Sequence, residues 1–430
     1  MYLLLIISVD RFKQHKMFVS IEKHNKKGGG KVSSILSERT AGMGCNAIRE
    51  ILKVVSRPGM VSLAGGIPAP ESFPMDLMPG LTDAVLTKYG PSAFQYDPTE
   101  GFEPLRETLS GYLTTKGVEV SPDGILVTSG SQSALDLLGM VLISKGDRVA
   151  LEAPTYVGAL QAFRPYQPEF VTLESDEDGV IPESLETVLR SGSIKLIYFV
   201  PTFQNPTGRT IPLNRRIAIA KIIRQYNTLL AEDDPYSDLR FKGTSLPTIR
   251  SLAPEQVIYI GTLSKVFAPG LRVGFCVAPE LIRHWLVVAK QGVDLHTSTY
   301  NQALAAEYIS GGHMMAHLPN IVCLYRPRLD ALLKGLEYYM PHGFSWSKPE
   351  GGMFVWVTGP FGMDMDRAYQ AAIARNVAFV PGTHFFPHPG NGLETMRLNF
   401  TMSDGDTLTK AIATLADVLS REITTPDGVR

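Results

Sequence analysis

The chain has 430 residues, 44% of them hydrophobic, and a formal net charge of -1 at pH 7. A chain of this size and apolar content buries a large core, so we expect one large α/β domain with a smaller companion. The balanced charge provides no basic field, which disfavours nucleic acid or an anionic membrane as a partner. Three widely spaced cysteines indicate neither a disulfide framework nor a metal site, and they favour a reducing, cytoplasmic location.

The N-terminus starts with an apolar stretch, residues 2–9, that is much shorter than the roughly 20 residues of a membrane span. A run rich in lysine and arginine follows and ends at three glycines. We expect residues 1–32 to form a disordered basic arm. A later true start at Met17, and a targeting or polyanion-binding role, are the alternatives.

Residues 46–55 have the apolar spacing of an amphipathic helix, and Pro58-Gly59 stops the pattern. Arg49 lies on the polar face of this helix, either as an ordinary exposed side chain or as a ligand-binding residue. A short strand then ends at Gly65-Gly66, where the missing side chains let the backbone approach a ligand closely.

Strands and helices alternate from residue 123 onward, which predicts a parallel sheet covered on both faces. The first strand, 125–129, leads through Gly130-Ser131-Gln132 into a helix over 134–144. Free backbone N–H groups and the helix dipole at such a junction favour an anion, although serine also caps helices generally. Further strands are predicted at 148–152, 170–173 and 195–200, with helices ending at 163 and spanning 182–190.

Two loops that follow apolar runs carry informative polar residues, Asn205 in one, and Asp233 and Tyr236 in the other. Ligands of open α/β sheets bind at the carboxyl ends of strands. A buried Asp233 could stabilise a protonated ring nitrogen, and Asn205 and Tyr236 could hydrogen-bond a phenolic oxygen. Taken singly, a turn residue, a surface acid and a core-edge tyrosine explain these positions equally well.

Lys265 follows a buried strand, 257–260, and precedes a tight turn into a second strand, 273–278. Desolvation or a neighbouring cation such as Arg272 lowers the pKa of an amine and lets it react with a carbonyl carbon. Arg272 and the Thr262 hydroxyl could also bind a phosphate. The alternative is a surface lysine and arginine beside an ordinary loop.

The pattern changes beyond residue 311, where a long helix over 313–340 is followed by short strands and a terminal helix over 404–421. We therefore expect residues 63–312 to form the large domain and residues 313–430 a smaller α+β domain. Residues 33–62 are expected to pack with the small domain or with a partner subunit.

The contacts that pyridoxal 5'-phosphate requires are supplied together by Lys265, Asp233, Asn205, Tyr236, Thr262, Arg272 and the turn Gly130-Ser131-Gln132. The chain resembles the fold-type I, class I aminotransferases over about residues 44–419. The resemblance implies a large domain with a mainly parallel seven-stranded sheet, and a homodimer whose active site is shared between subunits. Its motifs are Ser62-Leu-Ala-Gly-Gly, Gln95-Tyr-Asp-Pro-Thr-Glu-Gly, Thr128-Ser-Gly-Ser-Gln, Asn205-Pro-Thr-Gly, Asp233-Asp-Pro-Tyr, Thr262-Leu-Ser-Lys and Met396-Arg-Leu-Asn-Phe.

The resemblance also implies a role for each matching residue. Lys265 would form the Schiff base with the cofactor and act as the catalytic base, and Asp233 would contact the pyridine nitrogen. Tyr156 would stack on the ring, while Asn205 and Tyr236 would bind the ring oxygen. The phosphate would be held by Ser131, Gln132, Thr262 and Arg272.

Four further positions complete the implied site. Tyr96 matches a tyrosine that reaches the phosphate from the other subunit. Arg397 matches the arginine that binds the substrate α-carboxylate beside Asn205 and Gly66, with an exposed strand residue as the alternative. Arg49 matches an arginine that meets a distal carboxylate in the 2-aminoadipate enzymes.

Within the family, the chain is most similar to the 2-aminoadipate, kynurenine and multisubstrate aminotransferases. We therefore expect transfer of the amino group of 2-aminoadipate, glutamate, or an aromatic or large apolar L-amino acid to a 2-oxo acid, with 2-oxoglutarate as the acceptor and ping-pong kinetics. The alternatives are a β-lyase reaction on the same cofactor, and an effector-binding domain like that of MocR-type regulators. The second would require an N-terminal DNA-binding module, for which the sequence gives no sign.

Overall fold

A computed structural model describes residues 35–41, 43 and 57–423. The chain separates into two units, Met1–Gly44 and Cys45–Arg430. In the first unit the described residues include a 3-10 helix, Glu38–Ala41, beside which the Thr40 hydroxyl donates to the Ser37 carbonyl at 2.8 Å. The helix predicted over 46–55, and with it Arg49, lies outside the described residues.

The second unit alternates strands and helices over most of its length. Its strands are β1 Val61–Ser62, β2 Ile125–Thr128, β3 Arg148–Glu152, β4 Glu169–Leu173, β5 Ser175–Asp176, β6 Gly179–Val180, β7 Leu196–Phe199, β8 Leu230–Asp234, β9 Val257–Thr262, β10 Gly274–Val277, β11 Ser345–Trp346, β12 Phe354–Thr358, β13 Val377–Ala378, β14 Val380–Pro381 and β15 Thr395–Asn399. Its α-helices are α1 Met78–Tyr89, α2 Glu103–Thr114, α3 Ser131–Leu142, α4 Val157–Phe163, α5 Pro182–Arg190, α6 Leu213–Tyr226, α7 Ile249–Leu252, α8 Glu280–Val293, α9 Thr299–Ser310, α10 His313–Tyr339, α11 Met365–Ala374 and α12 Gly405–Ile423.

Short 3-10 helices occur between several of these elements. They are Pro70–Ser72, Gly90–Phe94, Pro122–Gly124, Arg164–Tyr166, Pro269–Leu271 and Gly382–Phe385.

A seven-stranded sheet with the order β2-β10-β9-β8-β7-β3-β4 forms the centre of this unit. Strands β9, β8, β7, β3 and β4 run parallel to one another. The residues of β3, β7, β8 and β9 are almost all buried, as expected for strands covered on both faces, whereas the edge strand β4 is largely accessible. The predicted α/β class with a mainly parallel seven-stranded sheet is confirmed.

Strand β10 is antiparallel to both of its neighbours and brings distant parts of the chain together. Gly274 lies opposite Thr128 on β2 and opposite Thr262 on β9. The turn before β10, which carries Arg272, is therefore next to the loop that leads into α3. This arrangement places the two predicted phosphate-binding segments at the same edge of the sheet.

A second sheet, β11-β12-β15-β14, is antiparallel and lies between residues 345 and 399. Arg397 is in its interior, opposite Trp356 on one side and Val380 on the other. The change of architecture agrees with the sequence pattern, while the domain boundary at 312/313 stays a prediction. Among the described residues, no helix is both long and apolar enough to cross a bilayer.

Candidate active site

A cavity of about 410 Å³ lies at the carboxyl ends of the parallel strands. It brings together most of the residues singled out from the sequence: Gly66, Ser131, Gln132, Tyr156, Asn205, Asp233, Tyr236, Thr262, Lys265, Arg272 and Arg397. A larger cavity of about 850 Å³, lined by residues such as Arg209 and Trp346, contains none of them. We therefore assign the smaller cavity as the candidate active site on the chemistry of its lining.

Lys265 is partly buried just after β9, and its Nζ donates to the Gly66 carbonyl at 3.1 Å. Burial and the positive charges of Arg397 and Arg272 together lower the pKa of this amine to about 8, against the opposing effect of Asp233. A larger fraction of the amine is consequently unprotonated near neutral pH than for an ordinary lysine. An unprotonated amine is the form that attacks a carbonyl carbon or accepts a proton.

Asp233 is 2% exposed and lies near the end of β8. One carboxylate oxygen, Oδ2, accepts a hydrogen bond from the Tyr198 hydroxyl at 2.8 Å. The other, Oδ1, is buried and has no partner within the described part of the chain. Burial raises the pKa of Asp233 to about 7, although the Tyr198 hydrogen bond lowers it. A cationic N–H of a ligand would satisfy Oδ1 and favour the charged carboxylate.

Arg397 is 2% exposed and forms no ion pair with a described acidic side chain. Its Nη1 donates to Asn205 Oδ1 at 2.9 Å and its Nη2 to the Ala64 carbonyl at 2.7 Å. Its guanidinium also lies over the rings of Phe354 and Phe385. Because burial lowers the Arg397 pKa to about 10, a carboxylate ligand would gain from contact with this cation. The alternative of an exposed strand residue is wrong.

Asn205 and Tyr236 lie side by side, with the Asn205 amide Nδ2 donating to the Tyr236 hydroxyl at 3.4 Å. Both are buried, at 4% and 5% exposure, and both line the cavity. Asp233 is buried as well, so the surface-acid alternative for that residue is wrong. The Tyr236 ring packs edge-on against Phe354. Burial raises the Tyr236 pKa above its usual range, so this hydroxyl stays protonated and can donate to an oxygen in the cavity.

The predicted phosphate-binding segments meet at the N-terminus of α3. Arg272 Nη2 donates to the Ser129 carbonyl at 2.9 Å, and a side chain at Gly130 would collide with the same nitrogen, at 2.2 Å from the added Cβ. Gly130 also has a φ of 82°, which favours glycine. The helix begins at Ser131, three residues before its predicted start, so that its free N–H groups face the cavity edge beside a guanidinium.

Thr262 and Gln132 contribute hydroxyl and amide groups to the same region. The Thr262 hydroxyl is within 2.9 Å of Ser264 Oγ and 3.3 Å of the Val273 carbonyl. The Gln132 amide donates to the Gly158 carbonyl at 2.8 Å and accepts from the Tyr156 hydroxyl at 3.4 Å. Tyr156 thereby presents an aromatic ring to the cavity just before α4.

Tyr96 does not line this cavity. It is 77% exposed, and its ring lies edge-on to His296. Its role toward a second subunit stays a prediction. Arg49 has no described position.

Several residues near the site were not predicted from the sequence. Phe354 and Phe385 contact the Arg397 guanidinium, and Tyr198 holds Asp233. Tyr198 carries a signal that could have identified it, since a tyrosine in an otherwise apolar buried strand requires a partner for its hydroxyl. Eight more residues line the cavity and were not among the predicted site residues: Ile67, Val157, Gly158, Gln161, Val200, Pro235, Ser264 and Pro269.

The residues present fit pyridoxal phosphate. The buried Asp233 Oδ1, which no described residue contacts through a hydrogen bond, matches a protonated pyridine nitrogen, and the N-terminus of α3 with Arg272 matches the phosphate. Lys265 supplies an amine with a lowered pKa, and Arg397 supplies a buried cation for a substrate carboxylate. These features define a pyridoxal-phosphate-dependent enzyme of fold type I that acts on amino acids.

The chain belongs to the aminotransferase class I and II family, whose family model matches residues 76–415. It is 44% identical over 395 residues to aromatic-amino-acid aminotransferase 1 of Thermococcus litoralis, covering 90% of this chain and 94% of that protein. The kynurenine aminotransferase structure from Pyrococcus horikoshii, in complex with PMP, is similar with a TM-score of 0.88 and 41% identity over 92% of this chain and 99% of that one.

The structure of LysN, the α-aminoadipate aminotransferase of Thermus thermophilus, complexed with N-(5'-phosphopyridoxyl)-L-leucine, is similar with a TM-score of 0.85 and 38% identity. That match covers 91% of this chain and 98% of LysN. The protein is accordingly an aminotransferase, and its cofactor is pyridoxal phosphate.

Proposed function

We propose that the protein transfers the amino group of a large L-amino acid to 2-oxoglutarate through alternate half-reactions in one cavity. The main support is the placement of Lys265, an amine with a lowered pKa, in the same cavity as the carboxylate of Asp233 and the guanidinium of Arg397. Because donor and acceptor both carry an α-carboxylate, one Arg397 can bind each of them in turn. A shared site of this kind gives ping-pong kinetics.

In this proposal, Arg397 binds the α-carboxylate through its two terminal nitrogens, with Asn205 and Gly66 beside it. Lys265 removes the proton from the substrate Cα and returns one during the exchange. Bound pyridoxal phosphate supplies a cationic ring that withdraws the electrons left at Cα. Asp233 would keep that ring protonated through Oδ1, and Tyr156 would pack on the ring face. Tyr236 and Asn205 would hold the ring oxygen.

The phosphate is proposed to lie where α3 begins. The residues that would hold it are Ser131, Gln132, Thr262 and Arg272, with Tyr96 of a second subunit completing the group. The exposure of Tyr96 supports a shared site in a homodimer, because a tyrosine ring that is 77% exposed gains from burial against another chain.

Donor preference is proposed to be broad. Ile67 and Val157 give part of the cavity an apolar lining, which suits an aromatic or aliphatic side chain, and Gln161 offers a polar group. Arg49 is proposed to bind the distal carboxylate of 2-aminoadipate or glutamate. The relatives described above are named as aminotransferases of aromatic amino acids, kynurenine and α-aminoadipate.

A large domain over residues 63–312 and a small domain over 313–430 are part of the same proposal, with residues 33–62 packing on the small domain or the partner subunit. A cytoplasmic location is proposed as well. Its support is cysteine usage, since Cys276 is buried, Cys323 is exposed, and neither forms a disulfide with any described residue.

Replacing Arg397 by lysine is expected to raise the KM for every amino acid donor by about 100-fold, because the charge remains but the bidentate hydrogen bonding to the carboxylate is lost. Steady-state kinetics with a good donor would measure this change. Arg328→Lys is a control, since Arg328 is a largely buried arginine that instead pairs with Glu71. An unchanged KM in Arg397→Lys would contradict the proposed role.

Donor selectivity tests the role of Arg49. In a panel of donors with 2-oxoglutarate, Arg49→Ala is expected to lower kcat/KM for 2-aminoadipate and glutamate by about tenfold, because one charge–charge contact is lost. The values for leucine and phenylalanine should stay nearly unchanged. Arg57→Ala, at an exposed neighbouring position, serves as the control. Equal losses for all donors would refute the distal-carboxylate role.

A further inference from the structure

The buried hydroxyl of Tyr198 has no role in the function proposed so far. Tyr198 is 0% exposed in the middle of β7, and its hydroxyl donates to Asp233 Oδ2 at 2.8 Å. In the parallel pairing of β7 with β8, Tyr198 lies opposite Ala231. Asp233 is two residues further along β8 and therefore projects from the same face of the sheet.

Because of this hydrogen bond, the two carboxylate oxygens of Asp233 have different surroundings. Oδ2 is held by Tyr198, whereas Oδ1 is buried and is left without a protein partner among residues 57–423. The tyrosine is itself fixed by burial and by the Phe163 ring, which packs edge-on at 6.1 Å between centroids. Rotation of the carboxylate would break the bond, so Oδ1 stays available to the cavity.

We propose that Tyr198 is a positioning residue that aims Oδ1 of Asp233 at the pyridine nitrogen and keeps this carboxylate ionised. The inference rests on the proposed role of Asp233 toward the cofactor ring. A neutral donor is suited to this task, because it stabilises the carboxylate without adding a positive charge that would compete with the ring cation. An arginine or lysine at position 198 would neutralise the charge on which the ring depends.

Titratable groups act on Asp233 from β8 itself and from the elements packed against it. They are Asp234 on β8, Lys265 in the segment after β9, and the hydroxyls of Tyr156, Tyr198 and Tyr236. Of these, Tyr198 is the one with a direct hydrogen bond to the carboxylate. Burial raises the Tyr198 pKa well above its usual range, so the hydroxyl remains a donor throughout the working pH range.

The neighbouring pair Tyr259 and Asp234 provides a matched comparison. Tyr259 is also a buried strand tyrosine, on β9, and its hydroxyl donates to Asp234 Oδ2 at 2.7 Å. Both oxygens of Asp234 have protein partners, because Ser237 and Lys116 also contact this carboxylate. Asp234 is not among the residues that line the cavity. The pair Tyr259 and Asp234 therefore stabilises the loop after β8 and offers no free carboxylate oxygen to the cofactor.

The test follows the ring nitrogen directly in holoenzyme loaded with pyridoxal phosphate that is ¹⁵N-labelled in the ring. The ¹⁵N chemical shift reports protonation of that nitrogen and is recorded across pH for the wild type and for Tyr198→Phe, Tyr259→Phe and Asp233→Asn. Loss of one hydrogen bond to a charged group is expected to lower the midpoint of ring protonation by about one pH unit in Tyr198→Phe. The kcat should fall by about tenfold, with little change in KM. Tyr259→Phe should leave the ¹⁵N midpoint at the wild-type value.

Site-specific incorporation of 3-fluorotyrosine at position 198 provides a second measurement. It tests the inference even if Tyr198→Phe folds poorly. The fluorinated residue keeps the hydroxyl but makes it a stronger donor, so the midpoint should move in the opposite direction. Two results would overturn the inference and leave the proposed role of Asp233 intact. One is an equal shift of the midpoint in Tyr198→Phe and Tyr259→Phe. The other is a shift in Asp233→Asn without any shift for either change at position 198. No shift in Asp233→Asn would overturn both the inference and that role.

Discussion

Replacing Lys265 by alanine is expected to reduce transamination by at least about 10⁴-fold. The variant loses both the amine that reacts with the cofactor and the group that moves the substrate proton, and proton transfer alone contributes about 10²–10⁴-fold in enzymes. The lowered pKa of Lys265, about 8, makes it the amine in the cavity best suited to these tasks. Formation of the 2-oxo acid from the donor, followed under single-turnover conditions, measures the loss.

Borohydride reduction of the wild type, followed by peptide mapping, provides an independent readout for the same residue. The phosphopyridoxyl group should be found on Lys265. Lys242→Ala, at an exposed lysine outside the cavity, should retain the label and the activity. Label on a different lysine, or turnover by Lys265→Ala within tenfold of the wild type, would show that the site is wrongly assigned.

Replacing Asp233 by asparagine is expected to lower kcat by about 10³-fold, the upper range for the loss of one preorganised electrostatic contact in a buried site. The amide retains the size of the side chain but not its charge, so a protonated ring nitrogen loses its counterion. Measurement of kcat and of the absorption spectrum of the bound cofactor checks the prediction.

Glu152→Gln is the control for a neutral replacement of a buried acid in the same sheet. Burial raises the Glu152 pKa to about 8, so this side chain is largely protonated at neutral pH and the amide resembles its native form. The kcat of Glu152→Gln at pH 7 should stay within about threefold of the wild type, because the substitution changes no more than one hydrogen bond between neutral groups. Comparable losses in both variants would indicate a packing effect instead of a charge effect at Asp233.

The sequence was most informative where polar residues follow buried strands. Asn205, Asp233 and Lys265 come after or at the ends of apolar runs, and parallel strands place such positions at a common edge, so their meeting in one cavity could be predicted. Arg397 was harder to interpret, because a strand residue can face either side of a sheet. Its burial depends on Phe354 and Phe385, which are distant in sequence and close to it in the fold.

Some elements and contacts were missed in the sequence. Helices α6, α8 and α9 were not predicted, and the hydrophobic pattern of α9 is spread around the helix because it is buried on most sides. The partner of Tyr198 could not be known without the register between β7 and β8, which is a property of the assembled sheet. The predicted helix start at 134 was late because Gly130, at a φ of 82°, allows the turn to begin earlier.

The guanidinium of Arg397 has a practical consequence for work with the purified protein. A buried cation that is unpaired with acids in the described chain will attract small carboxylates from solution as well as the intended substrate. Acetate, citrate or maleate in an assay buffer should therefore compete with the amino donor and raise its apparent KM, and kinetic constants measured in such buffers will understate the affinity of the enzyme. Buffers without carboxylates are the appropriate choice.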